Sequence, residues 1–143
     1  INTRAVQNPN FIKEASEIFG SQCIVSSIDA KKIAKDKWEV YIDNGREPTG
    51  IDVIEWAQKV EELGAGEIML TSIDMEGTKR GFDIELNKMV SEVITIPIIS
   101  SGGAGSSKDI NSLLNQTDID AVAIASLFHY EIEPIKEVKK FII

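Results

Sequence analysis

The chain has 143 residues, of which 43% are hydrophobic and 27% are charged, as expected for a globular domain. Its net charge of −8 argues against binding to nucleic acid or to an acidic membrane surface, because both require a basic protein surface. No apolar run reaches the roughly 20 residues that span a bilayer, and the first residues do not resemble a secretory signal, so we expect a cytoplasmic protein.

Short apolar runs alternate with longer amphipathic runs along the chain, which is the pattern of βα units around a parallel sheet. The first helix has Asn8 as its expected N-cap residue and Gly20 after its end. In chain order we expect a helix over residues 9–19, a strand over 22–29, a small exposed hairpin that begins with the alternating segment 37–43, a helix over 51–63, a strand over 67–71, a helix over 84–93, a strand over 97–100, a helix over 107–115, a strand over 121–125 and a helix over 132–142. No linker divides these elements, so we expect one folding unit.

Three side chains are expected to pack inside this unit. Cys23 is the only cysteine, so a disulfide within the chain is impossible, and its position in an apolar run indicates a buried thiol. Trp38 in the hairpin and Trp56 in the following helix are expected to pack as well.

The residues that end the predicted strands change from apolar to small polar or acidic. The four strand ends read Ser26-Ser27-Ile28-Asp29, Thr71-Ser72-Ile73-Asp74, Ser100-Ser101-Gly102-Gly103 and Ala125-Ser126. An open doubly wound sheet usually binds its ligand at one switch point, whereas a (β/α)₈ barrel draws its site from several strand ends. The pattern therefore favours a barrel.

A glycine-rich segment follows the third of these strands and precedes a helix. Its sequence is Ser101-Gly102-Gly103-Ala104-Gly105, and Ser126 lies at the end of the next strand. Glycines allow successive backbone amides to face one ligand, and a helix N-terminus adds positive potential. This favours a phosphate site, although a tight turn without a ligand would have the same glycines.

Asp29 is the best candidate for acid–base catalysis, because partial burial in a barrel mouth raises the pKa of a carboxyl group. A role as a helix cap or as a partner of a neighbouring lysine remains open. Asp74 and Glu76 share one loop and suit the binding of sugar hydroxyls, or they belong to a solvated loop. Since no His or Cys accompanies them, we expect no metal. His129, the only histidine, is expected to have a structural role.

These residues resemble those of the cyclase subunit of imidazole glycerol phosphate synthase over essentially the whole chain. The matching segments are Asn2-Thr3, Ser27-Ile28-Asp29-Ala30-Lys31, Gly50-Ile51, Gly64-Ala65-Gly66-Glu67-Ile68, Leu70-Thr71-Ser72-Ile73-Asp74, Gly77-Thr78, Ser101-Gly102-Gly103-Ala104-Gly105 and Ala125-Ser126-Leu127-Phe128-His129. The sister isomerase of histidine biosynthesis usually lacks the Ile-Asp-Ala-Lys strand end and the Phe-His ending. The resemblance therefore implies an α/β fold of the (β/α)₈ TIM barrel family, of which residues 1–143 cover about half, from the end of strand 4 through strand 8.

The resemblance also implies a reaction and partners. Such a cyclase takes ammonia from a glutaminase subunit and joins it to a ribulosyl aminoimidazole carboxamide nucleotide, which yields imidazole glycerol phosphate and a carboxamide ribonucleotide. No cofactor is expected. The N-terminal half of the barrel would supply a second catalytic aspartate, so we expect this chain alone to be inactive and the native chain to extend further at both ends.

Site residues follow from the same resemblance. Asp29 matches one of the two catalytic aspartates. The substrate- and phosphate-binding positions match Asn2, Thr3, Thr71, Glu76, Gly77, Ser101, Gly102, Gly103, Ala125 and Ser126. Of these, Gly102, Gly103 and Ser126 match one phosphate site, whereas Asn2 and Thr3 match part of a second one at the end of strand 4. Glu76 stands where the family usually has Asp, which leaves open a paralogue that feeds ammonia to surface-glycan amidation. The start of the chain at Ile1 leaves open a noncatalytic phosphate-binding half barrel.

Overall fold

The computed structural model describes residues 1–140 and contains one six-stranded sheet with helices packed against it. The strands are β1 (Val25–Ala34), β2 (Lys37–Ile42), β3 (Glu47–Asp52), β4 (Glu67–Ser72), β5 (Ile98–Ser101) and β6 (Ala121–Ala123). The helices are α1 (Thr3–Gln7), α2 (Asn10–Phe19), α3 (Val53–Glu62), α4 (Ile84–Ser91), α5 (Ser107–Gln116), α6 (Ser126–His129) and α7 (Ile135–Lys139), with a 3₁₀ turn at Ser21–Cys23. None of the described helices is long and apolar enough to cross a membrane.

The sheet has the order β3-β2-β1-β4-β5-β6. Strands β1, β4, β5 and β6 are parallel and lie side by side in chain order, whereas β2 and β3 form an antiparallel hairpin at one edge. Parallel strands that follow one another without a reversal of order are typical of a barrel, because a doubly wound sheet changes direction at its switch point.

Only one face of the parallel strands is buried. In β1 the side chains of Ser26, Ile28 and Ala30 are buried, whereas those of Ser27 and Asp29 are partly exposed, and β4 alternates in the same way. Helices α3, α4 and α5 contact one another in turn, so they lie on the buried side of the sheet. The core lies between the sheet and these helices, and the partly exposed face corresponds to the interior of a barrel. The predicted α/β fold, with half of a barrel in this chain, is confirmed.

The residue Ile1 adds to the parallel sheet at the free edge of β1. Its amino group donates to the carbonyl oxygen of Val25 at 2.7 Å, and the amide of Ser27 donates to the carbonyl oxygen of Ile1 at 2.8 Å. This pairing puts Ile1 in the place that the end of strand 4 takes in a barrel. Asn2 and Thr3 therefore lie next to the carboxyl end of β1.

The strand predicted over residues 22–29 begins later and ends later than expected. Residues Ser21–Cys23 form a 3₁₀ turn after Gly20, whose φ of +87° ends α2, so Cys23 is exposed and the prediction of a buried thiol is wrong. The strand extends to Ala34 because β2 pairs with the second half of β1. An apolar run alone did not reveal where the turn ends.

The prediction of a small exposed hairpin is wrong, because the hairpin of β2 and β3 is part of the sheet. Trp38 is 1% exposed and Val40 is fully buried, because α3 packs on β2. Strand β3 includes residues 51 and 52, so the following helix begins at Val53, where the Asp52 carboxylate accepts hydrogen bonds from the first helical turn. Trp56 is buried in this helix, as expected.

The other helices differ from the predictions mainly at their ends. Helix α1 and helix α6 were not predicted; both are short, so neither has a periodic apolar pattern. The N-cap residue of α2 is Pro9 rather than Asn8. The final predicted helix, over residues 132–142, begins only at Ile135, in α7 (Ile135–Lys139), and residues 141 and 142 of that prediction lie outside the described residues.

Asp83 connects the hairpin, β4 and α4. Its carboxylate accepts from the amide of Leu86 at 3.1 Å as the N-cap of α4, from the indole N–H of Trp38 at 3.0 Å and from the hydroxyl of Ser72 at 3.4 Å. The Asp83 carboxylate therefore joins the hairpin, β4 and α4. The Trp38 ring also contacts β1, since the Lys32 ammonium on that strand lies 4.8 Å from the ring centre.

We expect Asp83→Ala to lower the free energy of unfolding by about 2 kcal/mol, because the variant loses a helix cap and leaves the buried indole N–H without an acceptor. Urea unfolding measures this change. Asp118→Ala is the matched control, since Asp118 is exposed and should change stability by less than about 0.5 kcal/mol. Equal stability of the two variants would contradict the connecting role of Asp83.

Candidate functional site

One row of side chains crosses the four parallel strands at their carboxyl ends. The strand register places Asp29 beside Thr71, Thr71 beside Ser101 and Ser101 beside Ala123. Because side chains alternate between the two faces of a strand, all four point to the partly exposed face. The row brings together Asp29, Thr71 and Ser101, three of the residues predicted from the sequence.

Asp29 has the environment expected of an acid–base group. Burial raises the pKa of its carboxyl group, and a hydrogen bond from the Asn2 amide, with Nδ2 2.8 Å from Oδ2, lowers that pKa by stabilising the charged form; burial has the larger effect. Asp29 contacts Asn2 rather than a helix terminus or a neighbouring lysine, so the structure favours neither of the alternative roles considered for it.

Asn2 and Thr3 lie beside Asp29 and the hairpin. The Thr3 hydroxyl oxygen accepts from the backbone amide of Asp43 at 3.1 Å, which ties the start of α1 to the hairpin turn. The Oδ1 atom of Asn2 is buried without a hydrogen-bond partner among the described residues. Neither residue lines the glycine-rich cavity described next.

A cavity of about 200 Å³ lies at the ends of β5 and β6. It is lined by seven of the predicted residues: Glu76, Gly77, Ser101, Gly102, Gly103, Ala125 and Ser126. Met69, Lys79, Ala104, Ala123 and Ile124 complete the lining. Thr71 and Asp29 do not line the cavity. Thr71 lies beside Ser101, which does line it, and Asp29 lies beside Thr71 on the next strand.

The glycine-rich loop forms one wall of the cavity in a backbone conformation that favours glycine. Gly102 and Gly103 have φ values of +97° and +104°. The amide of Gly81 donates to the carbonyl oxygen of Gly103 at 2.8 Å, and a Cβ atom at Gly103 would overlap the carbonyl oxygen of Gly81. The loop that follows β4 therefore packs directly on the glycine-rich loop, with no room for a side chain between them.

Three backbone amides of the glycine-rich loop have no acceptor within residues 1–140: those of Gly102, Gly103 and Ala104. Nearer to α5, the amide of Gly105 donates to the Asp109 carboxylate at 3.0 Å and that of Ser107 donates to the Glu133 carboxylate at 2.8 Å. These two bonds reduce the expected contribution of the α5 N-terminus to an anion site.

The carboxylates Asp74 and Glu76, considered together in the sequence, have different surroundings. The Asp74 carboxylate accepts from the backbone amide of Lys32 at 2.7 Å and lies 3.8 Å from the Lys31 ammonium, so it holds the end of β1. Only Glu76 lines the cavity. His129 is exposed and contacts the ring of Tyr130 edge-on at 5.0 Å between ring centres.

Lys79 also lines the cavity, and sequence reasoning missed it as a site residue. The signal was present in the chain, since Lys79 follows Gly77-Thr78 in the same loop as Glu76. Across the described range 1–140 no three His, Cys, Asp or Glu side chains lie close enough to hold a metal ion.

Comparison with known proteins identifies relatives over most of the chain. It is 51% identical over 140 residues to imidazole glycerol phosphate synthase subunit HisF of Bacillus cereus (strain Q1), in a match that covers 98% of this chain and 56% of that relative. It is 52% identical over 143 residues to the protein of the same name from Clostridium botulinum (strain Okra / Type B1), with coverage of 99% and 56%. The chain thus spans about half the length of the curated relatives it matches.

The family model described as "Histidine biosynthesis protein" matches residues 1–133. The matched range includes every predicted site residue, from Asn2 to Ser126, so both the row of side chains at the strand ends and the glycine-lined cavity lie inside it. The chain therefore belongs to the histidine biosynthesis protein family.

Proposed function

We propose that residues 1–143 are the C-terminal half of the (β/α)₈ barrel of an imidazole glycerol phosphate synthase cyclase subunit, acting in the cytoplasm. The observation that carries the proposal is the row Asp29-Thr71-Ser101, which leads into the glycine-lined cavity. It combines a carboxyl group of raised pKa with free backbone amides at one sheet edge, as the cyclisation of a phosphorylated substrate requires. The names of the relatives support the same reaction.

In this proposal Asp29 transfers protons during closure of the imidazole ring. A raised pKa brings the carboxyl group closer to neutral pH, so it exchanges protons with the substrate at a smaller free-energy cost. Thr71 lies beside Asp29 in the register and Ser101 lies beside Thr71, so both would hold the substrate by hydrogen bonds between Asp29 and the cavity. Asn2 keeps the Asp29 carboxylate oriented, and Thr3 holds Asn2 in place through the hairpin turn.

The cavity binds one phosphate of the substrate. The glycine-rich loop that lines it carries the free amides of Gly102, Gly103 and Ala104, and Ser126, at the start of α6, lines it as well. Gly102 and Ala125 line the cavity without bulky side chains, which allows the phosphate to approach the backbone. Glu76 and Gly77 also line the cavity, where the carboxylate suits a sugar hydroxyl.

The reaction needs two partners. The N-terminal half of the barrel would cover the partly exposed face of the sheet and pair with its two parallel edges, at Ile1 and at β6. It would also supply the second aspartate. A glutaminase subunit would supply ammonia. The glycan-amidation alternative rests on Glu76 alone.

Asp29→Asn should abolish ammonia-dependent conversion of the ribulosyl aminoimidazole carboxamide nucleotide, with a loss in kcat of at least about 100-fold, because the amide cannot exchange the proton. The assay mixes this chain with a matching N-terminal half barrel and follows formation of imidazole glycerol phosphate. The chain alone serves as the blank, and Asp118→Asn is the control. Turnover unchanged by Asp29→Asn would exclude Asp29 from catalysis, and a folded, phosphate-binding mixture without turnover would favour the glycan-amidation alternative.

The same substitution should not lower stability at neutral pH. Because the pKa of Asp29 is raised in the folded chain, ionising its carboxyl group costs more free energy in the fold than in the unfolded chain. The charged form therefore lowers stability above the folded pKa, and this cost disappears below the unfolded pKa. We expect Asp29→Asn to unfold in urea at pH 7 at the same or a higher midpoint than the parent chain. A clear fall would indicate that lost activity reflects misfolding.

Asn2→Leu should raise the pKa of Asp29 further, because it removes the hydrogen bond that stabilises the carboxylate while it keeps the side chain's bulk. Carboxyl ¹³C NMR titration measures the change directly. Asn10→Leu, on the exposed surface of α2, is the matched control and should leave the titration unchanged. A pKa that falls or stays constant in Asn2→Leu would show that Asn2 does not stabilise the charged form.

A further inference from the structure

Lys79 is the only cationic side chain among the residues that line the glycine-rich cavity. Within residues 1–140 its ammonium group has no carboxylate within 4.0 Å, and it donates no hydrogen bond to the protein. Instead it lies 4.2 Å from the centre of the Tyr130 ring. All of its N–H donors are therefore available to a ligand.

The backbone of Lys79 is held in place from both sides. Its φ of +58° lies in the left-handed region, which residues other than glycine seldom adopt. A Cβ atom at Gly105 would overlap the Lys79 carbonyl oxygen, and two residues later the amide of Gly81 bonds to Gly103. On the N-terminal side of Lys79, the Thr78 hydroxyl donates to the Met75 carbonyl oxygen at 2.8 Å and so fixes the turn that precedes the lysine. The position of Lys79 is thus tied to the glycine-rich loop itself.

Tyr130 connects the lysine to the opposite wall of the cavity. It directly follows α6, whose first residue, Ser126, lines the same cavity. A ring face attracts an ammonium group without competing for its hydrogen-bond donors. Tyr130 therefore keeps the cation at the rim, between the two loops that form the cavity.

The charge around the cavity favours a cation as part of an anion site there. The other charged residue in the lining is Glu76, which repels a phosphate dianion, and the chain as a whole carries a net charge of −8. Amide donors supply only partial charges. One full positive charge would offset the carboxylate.

We propose that Lys79 is the cation that binds the phosphate monoester in this cavity, held over the Tyr130 ring and donating to the phosphate oxygens. The inference rests on the proposed function, in that it deepens the phosphate site assigned there. It gives a role to the Lys79 side chain and to Tyr130, which the sequence had not singled out.

The test measures binding of glycerol 3-phosphate to the full chain by isothermal titration calorimetry at two salt concentrations. Lys79→Met should raise the Kd roughly tenfold and flatten its dependence on salt, because one charge-assisted hydrogen bond is lost. Lys79→Arg should retain most of the affinity. Tyr130→Leu should raise the Kd about threefold by releasing the ammonium group. The matched control is Lys88→Met, an exposed lysine on α4 away from the cavity.

The outcomes separate this inference from the proposed function. Binding by the parent chain that is weakened by Ser126→Ala but unchanged within twofold by Lys79→Met would overturn the role of Lys79 and leave the phosphate site standing. No binding by the parent chain would overturn both. Amide NMR shifts of Gly103 and Ala104 on titration show that the ligand occupies this cavity, and shifts confined to other residues would likewise overturn the inference.

Discussion

The register of the four parallel strands is the constraint on which the site depends. Asp29, Thr71, Ser101 and Ala123 lie in one row only because each strand pairs with the next in this alignment. A slip of one residue would turn a side chain such as Asp29 toward the helices, where an unpaired charge is costly. The buried faces of β1 and β4 prevent that slip, so the packing of the core determines the geometry of the site.

The proposed phosphate site would let an acidic chain hold an anion through backbone amides. These amides belong to the glycine-rich loop, in which Gly102 and Gly103 have positive φ values. The direct contact between this loop and Gly81 makes the two loops one structural unit. The conformation of the glycine-rich loop therefore depends on the packing of the loop that contains Gly81, and the residues that line the cavity come from both loops.

Much of the fold could be predicted because it repeats a local pattern. The strands β4 and β5 and the helices α4 and α5 were predicted within about two residues, since apolar periodicity and flanking glycines mark them. The start of β1, the buried hairpin and the short helices α1 and α6 could not be predicted in this way. Cys23 is exposed because a 3₁₀ turn precedes β1, and the hairpin belongs to the sheet because β2 pairs with β1 and is covered by α3. The packing of Trp38, by contrast, was predicted and is confirmed.

The sequence by itself determined the βα pattern, the polar strand ends and the glycine-rich loop, because each is written in consecutive residues. It also indicated Asp29 and the seven predicted residues that line the cavity. Only the tertiary structure separated Asp74 from Glu76, placed Asn2 against Asp29 and brought Lys79 over Tyr130. These are contacts across the fold, whose formation depends on strand register and loop packing rather than on neighbouring residues in the chain.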